Sequence, residues 1–327
     1  MVLEIILIIL GIAAVLWGAD RFTDGACGLA RRLKVSELVI GLTVVSLGTS
    51  LPEFIVSFMS VLRGSGDMSV GNVMGSNIFN ILVITGSAAI MRNINVDKSL
   101  LQRDIPICLC ASVLLFLFAV SNGTIARWEG MLLVVFFCAY LYIAYRVAMK
   151  DRRGSNQAML DERGESQSPL GGKTEEKEMS VLKIIVLITV GILALVIGGR
   201  VLVNNAAAFA REMGISESVI GMTILAGGTS LPELATSIMA ARKGSFGLAL
   251  GNVIGSNVFN IAFVIGTCSS VVPMVVTEIT PQDWGMLVGS CVLVWFVAWT
   301  GRKLNLKEGI LLVLCYLAYL TWLLWRS

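Results

Sequence analysis

The chain contains no histidine. Imidazole metal sites, histidine general bases and the HExxH arrangement of zinc proteases are excluded together. Charge is scarce as well: Asp, Glu, Lys and Arg make up 14% of the 327 residues, where a soluble globular chain carries about 25%. Cysteine is present but unpatterned. The seven cysteines stand singly in apolar stretches apart from Cys108 and Cys110, and an odd, scattered set reads as membrane packing, not as a disulfide framework. The net charge of +3 says little by itself. The basic stretches ARRLK (30 to 34) and DRR (151 to 153) fit the flanks of membrane helices and give no reason to expect a nucleic-acid partner.

What abounds is apolar sequence, with 56% hydrophobic residues and a mean hydropathy of +0.83. Runs of ~20 apolar residues, enough to cross ~30 Å of hydrocarbon, recur along nearly the whole chain. They predict ten transmembrane spans, at residues 2–18, 36–62, 69–90, 104–120, 128–147, 181–199, 213–241, 249–271, 284–300 and 308–325. No Lys or Arg precedes the first, and Glu4 stands where a leader peptide would be basic, so a helix is expected there. The expected partner of such a chain is the lipid bilayer.

The sequence also repeats. SELVIGLTVVSLGTSLPEF (36 to 54) matches SESVIGMTILAGGTSLPEL (216 to 234), and GNVMGSNIFNI (71 to 81) matches GNVIGSNVFNI (251 to 261). Matched residues keep one offset, 180, through both blocks. The reading is an all-α integral membrane protein built from two five-helix units: residues 1–147, with its motifs in 36–86, and residues 181–327, with its motifs in 216–266. Five spans per unit is odd, so the second unit enters the membrane from the opposite side and the repeats have inverted topology. Residues 148–180 carry 13 charged residues and no apolar periodicity, as a flexible connector would. With that linker in the cytoplasm, 20 of the 25 Lys and Arg residues fall on the cytoplasmic side, which places both termini outside.

The chemistry lies in the repeated blocks. GTSLPE recurs at 48–53 and 228–233, and each copy puts a glutamate within a membrane span, at a cost of about 2.5–3.5 kcal/mol even on insertion scales. Pro52 cannot donate to its helix and crowds the carbonyl of Gly48, so the helix should open around residues 46–52 and free backbone oxygens. Thr49 and Ser50 stand four and three residues before Glu53 and share its face. Hydroxyls, freed carbonyls and a carboxylate suit a hard cation such as Ca2+ or Na+. Asn72, Ser76 and Asn80 form a polar stripe spaced by four on the following helix, with Gly71 and Gly75 allowing close approach. Copy two repeats the stripe as Asn252, Ser256 and Asn260. Two inverted copies would bring Glu53 and Glu233 together near the midplane.

Other short matches carry less. GSGD (64 to 67) is similar to the GxGD of intramembrane aspartyl proteases, but it sits at a predicted loop without a partner aspartate in a span, and a turn is the simpler reading. NGT (122 to 124) fits a glycosylation acceptor at the level of chance.

The two repeated blocks resemble the α-repeats of the calcium/cation antiporter superfamily, within it the sodium/calcium exchanger family of the prokaryotic type. The resemblance implies a ten-helix antiporter of the cell membrane that is not an enzyme and uses no cofactor. It would exchange Ca2+ for Na+ at a central site that alternates between the two membrane faces. Glu53 and Glu233 would hold Ca2+, with oxygens from Thr49, Ser50, Ser76 and Asn80, from Thr229, Ser230, Ser256 and Asn260, and from the backbone carbonyls of Ser46 and Ala226. Some family members carry a carboxylate where this chain has Asn260, which leaves Glu53 and Glu233 as the two charges. No calcium-sensing domain is recognisable in the linker. The competing functions are a proton-coupled exchanger of the same superfamily, a passive cation channel and an intramembrane protease, for which a second catalytic aspartate finds no place. The proton branch typically follows its GN with a glutamate, and a channel needs no inverted broken-helix repeat around one buried site.

Overall fold

The computed structural model describes residues 2–165, 179–214 and 226–326. Much of the expected linker (166–178) and the first part of the seventh expected span (215–225) lie outside the described residues, as do Met1 and Ser327. The helices are α1 (Val2–Leu33), α2 (Glu37–Thr49), α3 (Leu51–Leu62), α4 (Gly66–Met91), α5 (Leu100–Asn122), α6 (Arg127–Glu165), α7 (Val181–Glu212), α8 (Leu231–Arg242), α9 (Phe246–Val271), α10 (Pro281–Trp299) and α11 (Leu306–Arg326). Among the described residues eight helices are long and apolar enough to cross a membrane, and the bent pair α2 and α3 makes a ninth. Of the expected span at 213–241 the described part is a single turn, Ala226–Gly228, followed by α8.

Two helices outrun their apolar stretches. α1 has 32 residues, roughly 48 Å at 1.5 Å per residue, where the apolar run ends near residue 18. Charge ends an apolar run without ending a helix. α6 likewise runs past residue 147 to Glu165, into the segment expected as linker, because residues 148–165 hold good helix formers and no proline.

α1 and α7 pack antiparallel along their length, and glycine sets the spacing. A Cβ on Gly18 would lie 2.9 Å from the Gly191 carbonyl, and one on Gly191 would lie 2.7 Å from the Phe22 nitrogen. Further along, Gly11 meets Leu202 and Gly25 meets Ile188. The contacts recur every seven residues, the period of a close helix seam.

The motif helices occupy the centre. In its most apolar window α9 has 94% of residues buried and α4 has 72%, against 11% for α11, so α4 and α9 form the inner wall and α11 the shell. The first half of α2 lies on α9, where Gly251 and Gly255 leave no room for a side chain: their Cβ atoms would sit 2.7 Å and 2.6 Å from the carbonyls of Leu38 and Leu42. A π turn widens α2 at Gly41–Val45. The Leu42 carbonyl in it accepts hydrogen bonds from Ser46 Oγ (3.0 Å) and Tyr140 Oη (3.3 Å), which keeps that buried acceptor satisfied.

Two short antiparallel sheets staple the halves. β1 (Ile94–Asn95) pairs with β4 (Lys303–Leu304), and β2 (Thr124–Ile125) pairs with β3 (Met274–Val275). Each joins a loop of the first half to a loop of the second.

Candidate functional site

The helix break falls at Ser50. α2 and α3 meet there at 48°, and Pro52 is the second residue of α3, where its missing N–H costs nothing. Ser230 takes the same backbone conformation (φ −87°, ψ 8°) as Ser50 (φ −87°, ψ 9°), and Pro232 follows it in the same way. The opening is narrower than the expected 46–52. The Ser46 carbonyl still accepts the Ser50 N–H at 3.1 Å, so a cation there would use its second lone pair. Ala226 opens the short turn before α8.

Glu53 and Glu233 each lie one turn beyond their break and are fully buried. Two of the hydroxyls expected beside them, those of Ser50 and Ser230, bond instead to the other copy. Ser50 Oγ donates to Glu233 Oε1 at 2.8 Å, and Ser230 Oγ donates to Glu53 Oε1 at 3.1 Å. Thr49 Oγ1 lies 3.1 Å from both the Val45 carbonyl and Asn252 Oδ1. The two carboxylates are thus held by a reciprocal exchange between copies, which places them side by side.

The stripe residues divide. Asn72 and Asn252 bolt each broken helix to its own partner: Nδ2 of Asn72 donates to Ser57 Oγ (3.0 Å) and that of Asn252 to Ser237 Oγ (2.9 Å). Ser76, Asn80, Ser256 and Asn260 are buried. Asn77 and Asn257, one position off the stripe and given no role by the sequence reading, meet across the junction of the halves. Their only sequence signal is that they recur 180 residues apart.

One observation sets this region apart. Among the described residues, seven buried oxygens of the predicted set have no hydrogen-bond partner: Glu53 Oε2, Glu233 Oε2, Ser76 Oγ, Ser256 Oγ, Asn80 Oδ1, Asn260 Oδ1 and Thr229 Oγ1. A buried polar atom left unpaired costs about 1–3 kcal/mol, more if charged, and folded proteins rarely gather them. Hard cations take oxygens of these kinds as ligands. Among the described residues no group of three or more His, Cys, Asp or Glu side chains could hold a metal.

Access differs between the two ends. A cavity of about 730 Å³ runs from Pro52, Asn72, Thr229 and Pro232 out to Asp67, Glu278 and Arg326. Gly71 and Gly75 border it with nothing within 4 Å of an added Cβ, whereas their equivalents Gly251 and Gly255 are packed shut. At the closed end Lys243 Nζ bridges Asp20 Oδ1 (2.7 Å) and Asp24 Oδ1 (2.6 Å), tying α1 to the segment after α8. Ser245 Oγ donates to Glu37 Oε1 at 3.3 Å beside it.

Comparison with known proteins finds relatives along the length of the chain. Residues 3–146 and 183–325 match the model of the family described as sodium/calcium exchanger protein. The chain is 34% identical over 323 residues to the putative antiporter CaxA of Alkalimonas amylolytica, covering 98% of each chain. It is 33% identical over 346 residues to the sodium/calcium exchanger MaX1 of Methanosarcina acetivorans, covering 96% of this chain and 97% of that one. Among solved structures it resembles the sodium-calcium exchanger NCX_Mj soaked with Na+ and Sr2+, with a TM-score of 0.81, 29% identity and 98% of each chain covered.

Proposed function

Because the chain belongs to the sodium/calcium exchanger family, and is therefore a multi-pass membrane transporter and not an enzyme, we propose that it exchanges Ca2+ for Na+ by alternating access at the site between its two halves. What carries the reading is the set of seven unpaired buried oxygens drawn from both copies around Glu53 and Glu233. Both carboxylates ionised give the site a charge of −2, which one Ca2+ balances. The hydroxyl and amide oxygens suit Na+ at similar distances, so several Na+ would occupy overlapping ligands. Competition for those ligands couples the two flows. The name of MaX1 supports Na+ as the counter-ion.

The reading includes ten spans in two inverted five-helix units, with both termini outside the cell membrane. The antiparallel run of α1 against α7, the first helices of the two units, supports the inversion. The sheets support the count. β1 pairs with β4, so the segments between them cross an even number of times. Five of these are α5, α6, α7, α9 and α10, and the span expected at 213–241 would be the sixth.

Alternation needs one closed end and one open end. The cavity beside Gly71 and Gly75 and the Lys243 bridge fit a state open on the side where α4 and α10 begin. Opening the other end means parting α2 from Gly251 and Gly255 and breaking the bridge. The test is flux in proteoliposomes holding the purified chain. An outward-directed Na+ gradient should drive Ca2+ uptake, and more than two Na+ per Ca2+ would make the uptake depend on voltage. Uptake driven by a pH gradient and not by Na+ would assign the chain to proton exchange. Ca2+ running down its own gradient without a counter-ion would make it a channel.

A further inference from the structure

An amide side chain has an accepting end and a donating end of nearly equal size, and its neighbours decide which end faces which way. Asn77 Nδ2 lies 3.1 Å from the backbone oxygen of Asn257, and Asn257 Nδ2 lies 3.1 Å from the backbone oxygen of Asn77. A backbone oxygen only accepts, so each NH2 end must face it. Each Oδ1 then points elsewhere, and it takes a hydrogen from the next pair. Asn77 Oδ1 accepts from Asn260 Nδ2 and Asn257 Oδ1 accepts from Asn80 Nδ2, both at 3.1 Å. Those bonds commit the NH2 ends of Asn80 and Asn260. Their oxygens are the ends left over, buried and without a hydrogen bond from the described residues.

The deduction runs in one direction from two backbone carbonyls to two free oxygens, and all four amides are buried, where water does not compete. We infer that Asn77 and Asn257 are positioning residues that aim the side-chain oxygens of Asn80 and Asn260 at the transported cation. The inference rests on the cation-binding reading of the site. Without the first pair, Asn80 or Asn260 is free to turn over and offer two N–H donors where a cation needs oxygen. The control is crossed: Asn77 orients the ligand of the second copy and Asn257 that of the first.

The experiment measures half-saturating Ca2+ and maximal rate in Na+-loaded proteoliposomes of the full chain. Ca2+ binding to the same purified protein is followed by calorimetry. Asn77→Ala and Asn257→Ala should each raise half-saturating Ca2+ by about 10- to 100-fold, the usual effect of losing a residue that orients a metal ligand, with the maximal rate little changed. Asn77→Ser reads the same quantity should the alanine variant not fold. The decisive background is Asn260→Asp. A carboxylate presents oxygen whichever way it turns, so adding Asn77→Ala there should cost less than about threefold in the orienting effect. Equal losses in both backgrounds, or a loss confined to maximal rate or melting temperature, would overturn the inference and leave the asparagines as packing. Calorimetry keeps the two readings apart. Wild type that binds Ca2+ with an Asn77-dependent affinity but shows no Na+-driven flux would sink the counter-ion assignment and leave the positioning role standing. Wild type that binds no Ca2+ would remove both.

Discussion

Replacing Glu53 by Gln tests the charge balance of the site more directly than any other change. The amide is isosteric and its oxygen can still accept from Ser230 Oγ, which now donates at 3.1 Å, so the local hydrogen bonding survives. What disappears is one of two charges. With Glu233 alone, a bound Ca2+ keeps a net positive charge in a fully buried pocket. Removing one partner of a buried charge pair costs about 3–5 kcal/mol. At 1.4 kcal/mol per tenfold, Ca2+ affinity should fall by roughly two to four orders of magnitude. Glu233→Gln should be similarly severe, because Ser50 and Ser230 hold the two carboxylates by matching bonds. A single charge still balances a monovalent ion, so exchange of radioactive Na+ for Na+ should outlast Ca2+ flux in both variants. The assay is uptake of radioactive Ca2+ and Na+ into proteoliposomes, with a melting curve of the purified protein to show that it is folded. Half-saturating Ca2+ within about threefold of wild type in either variant would refute the reasoning, since it implies a cost below ~1 kcal/mol.

Three further outcomes are expected. A cysteine reagent that cannot cross the membrane should label an engineered Cys at Ser155 only from the cytoplasm and one at Ser327 only from outside; labelling of both from one side would contradict an even number of spans. Gly255→Ala should lower the melting temperature markedly, because its Cβ would lie 2.6 Å from the Leu42 carbonyl and 2.7 Å from Ser46 Oγ, whereas Gly75→Ala has nothing within 4 Å to meet; equal melting points would show that the two ends are packed alike. Lys243→Gln should make the closed end more accessible to a thiol reagent at an engineered Cys at Ser245, but by less than about fivefold, because a part-exposed ion pair contributes only ~0.2–1 kcal/mol; unchanged accessibility would remove the bridge from the gate. Arg63 stands at the matching position of the first copy, and at the same offset it would face Arg200 and Asn204 in place of Asp20 and Asp24.

Much of the candidate site was legible in the sequence for local reasons. Proline breaks a helix wherever it stands past the first turn, so Pro52 and Pro232 announced the breaks before Glu53 and Glu233. A carboxylate in an apolar run announces a function because its cost has to be met by something. Repetition at a fixed offset of 180 residues tied the two sets together. Length was legible less well: α1 runs to Leu33 and α6 to Glu165, since hydropathy reports what lipid tolerates and helix propensity reports where the backbone stops.

Tertiary structure decided which atoms meet. Thr49 and Ser50 share a face with Glu53, yet their hydroxyls serve Asn252 and Glu233, and no spacing within one copy encodes a bond to the other. Asn77 and Asn257 act only as a pair across the junction, so neither has a meaning inside its own helix. The sharpest case is the asymmetry of the ends. Gly75 and Gly255 occupy the same position of nearly the same motif, one beside a cavity and the other against a carbonyl. Nearly identical sequences cannot specify different surroundings by themselves. The difference arises from how the halves meet: α9 lies against the first half of α2, so Gly255 abuts the Leu42 carbonyl, while the matching face of α4 borders the cavity.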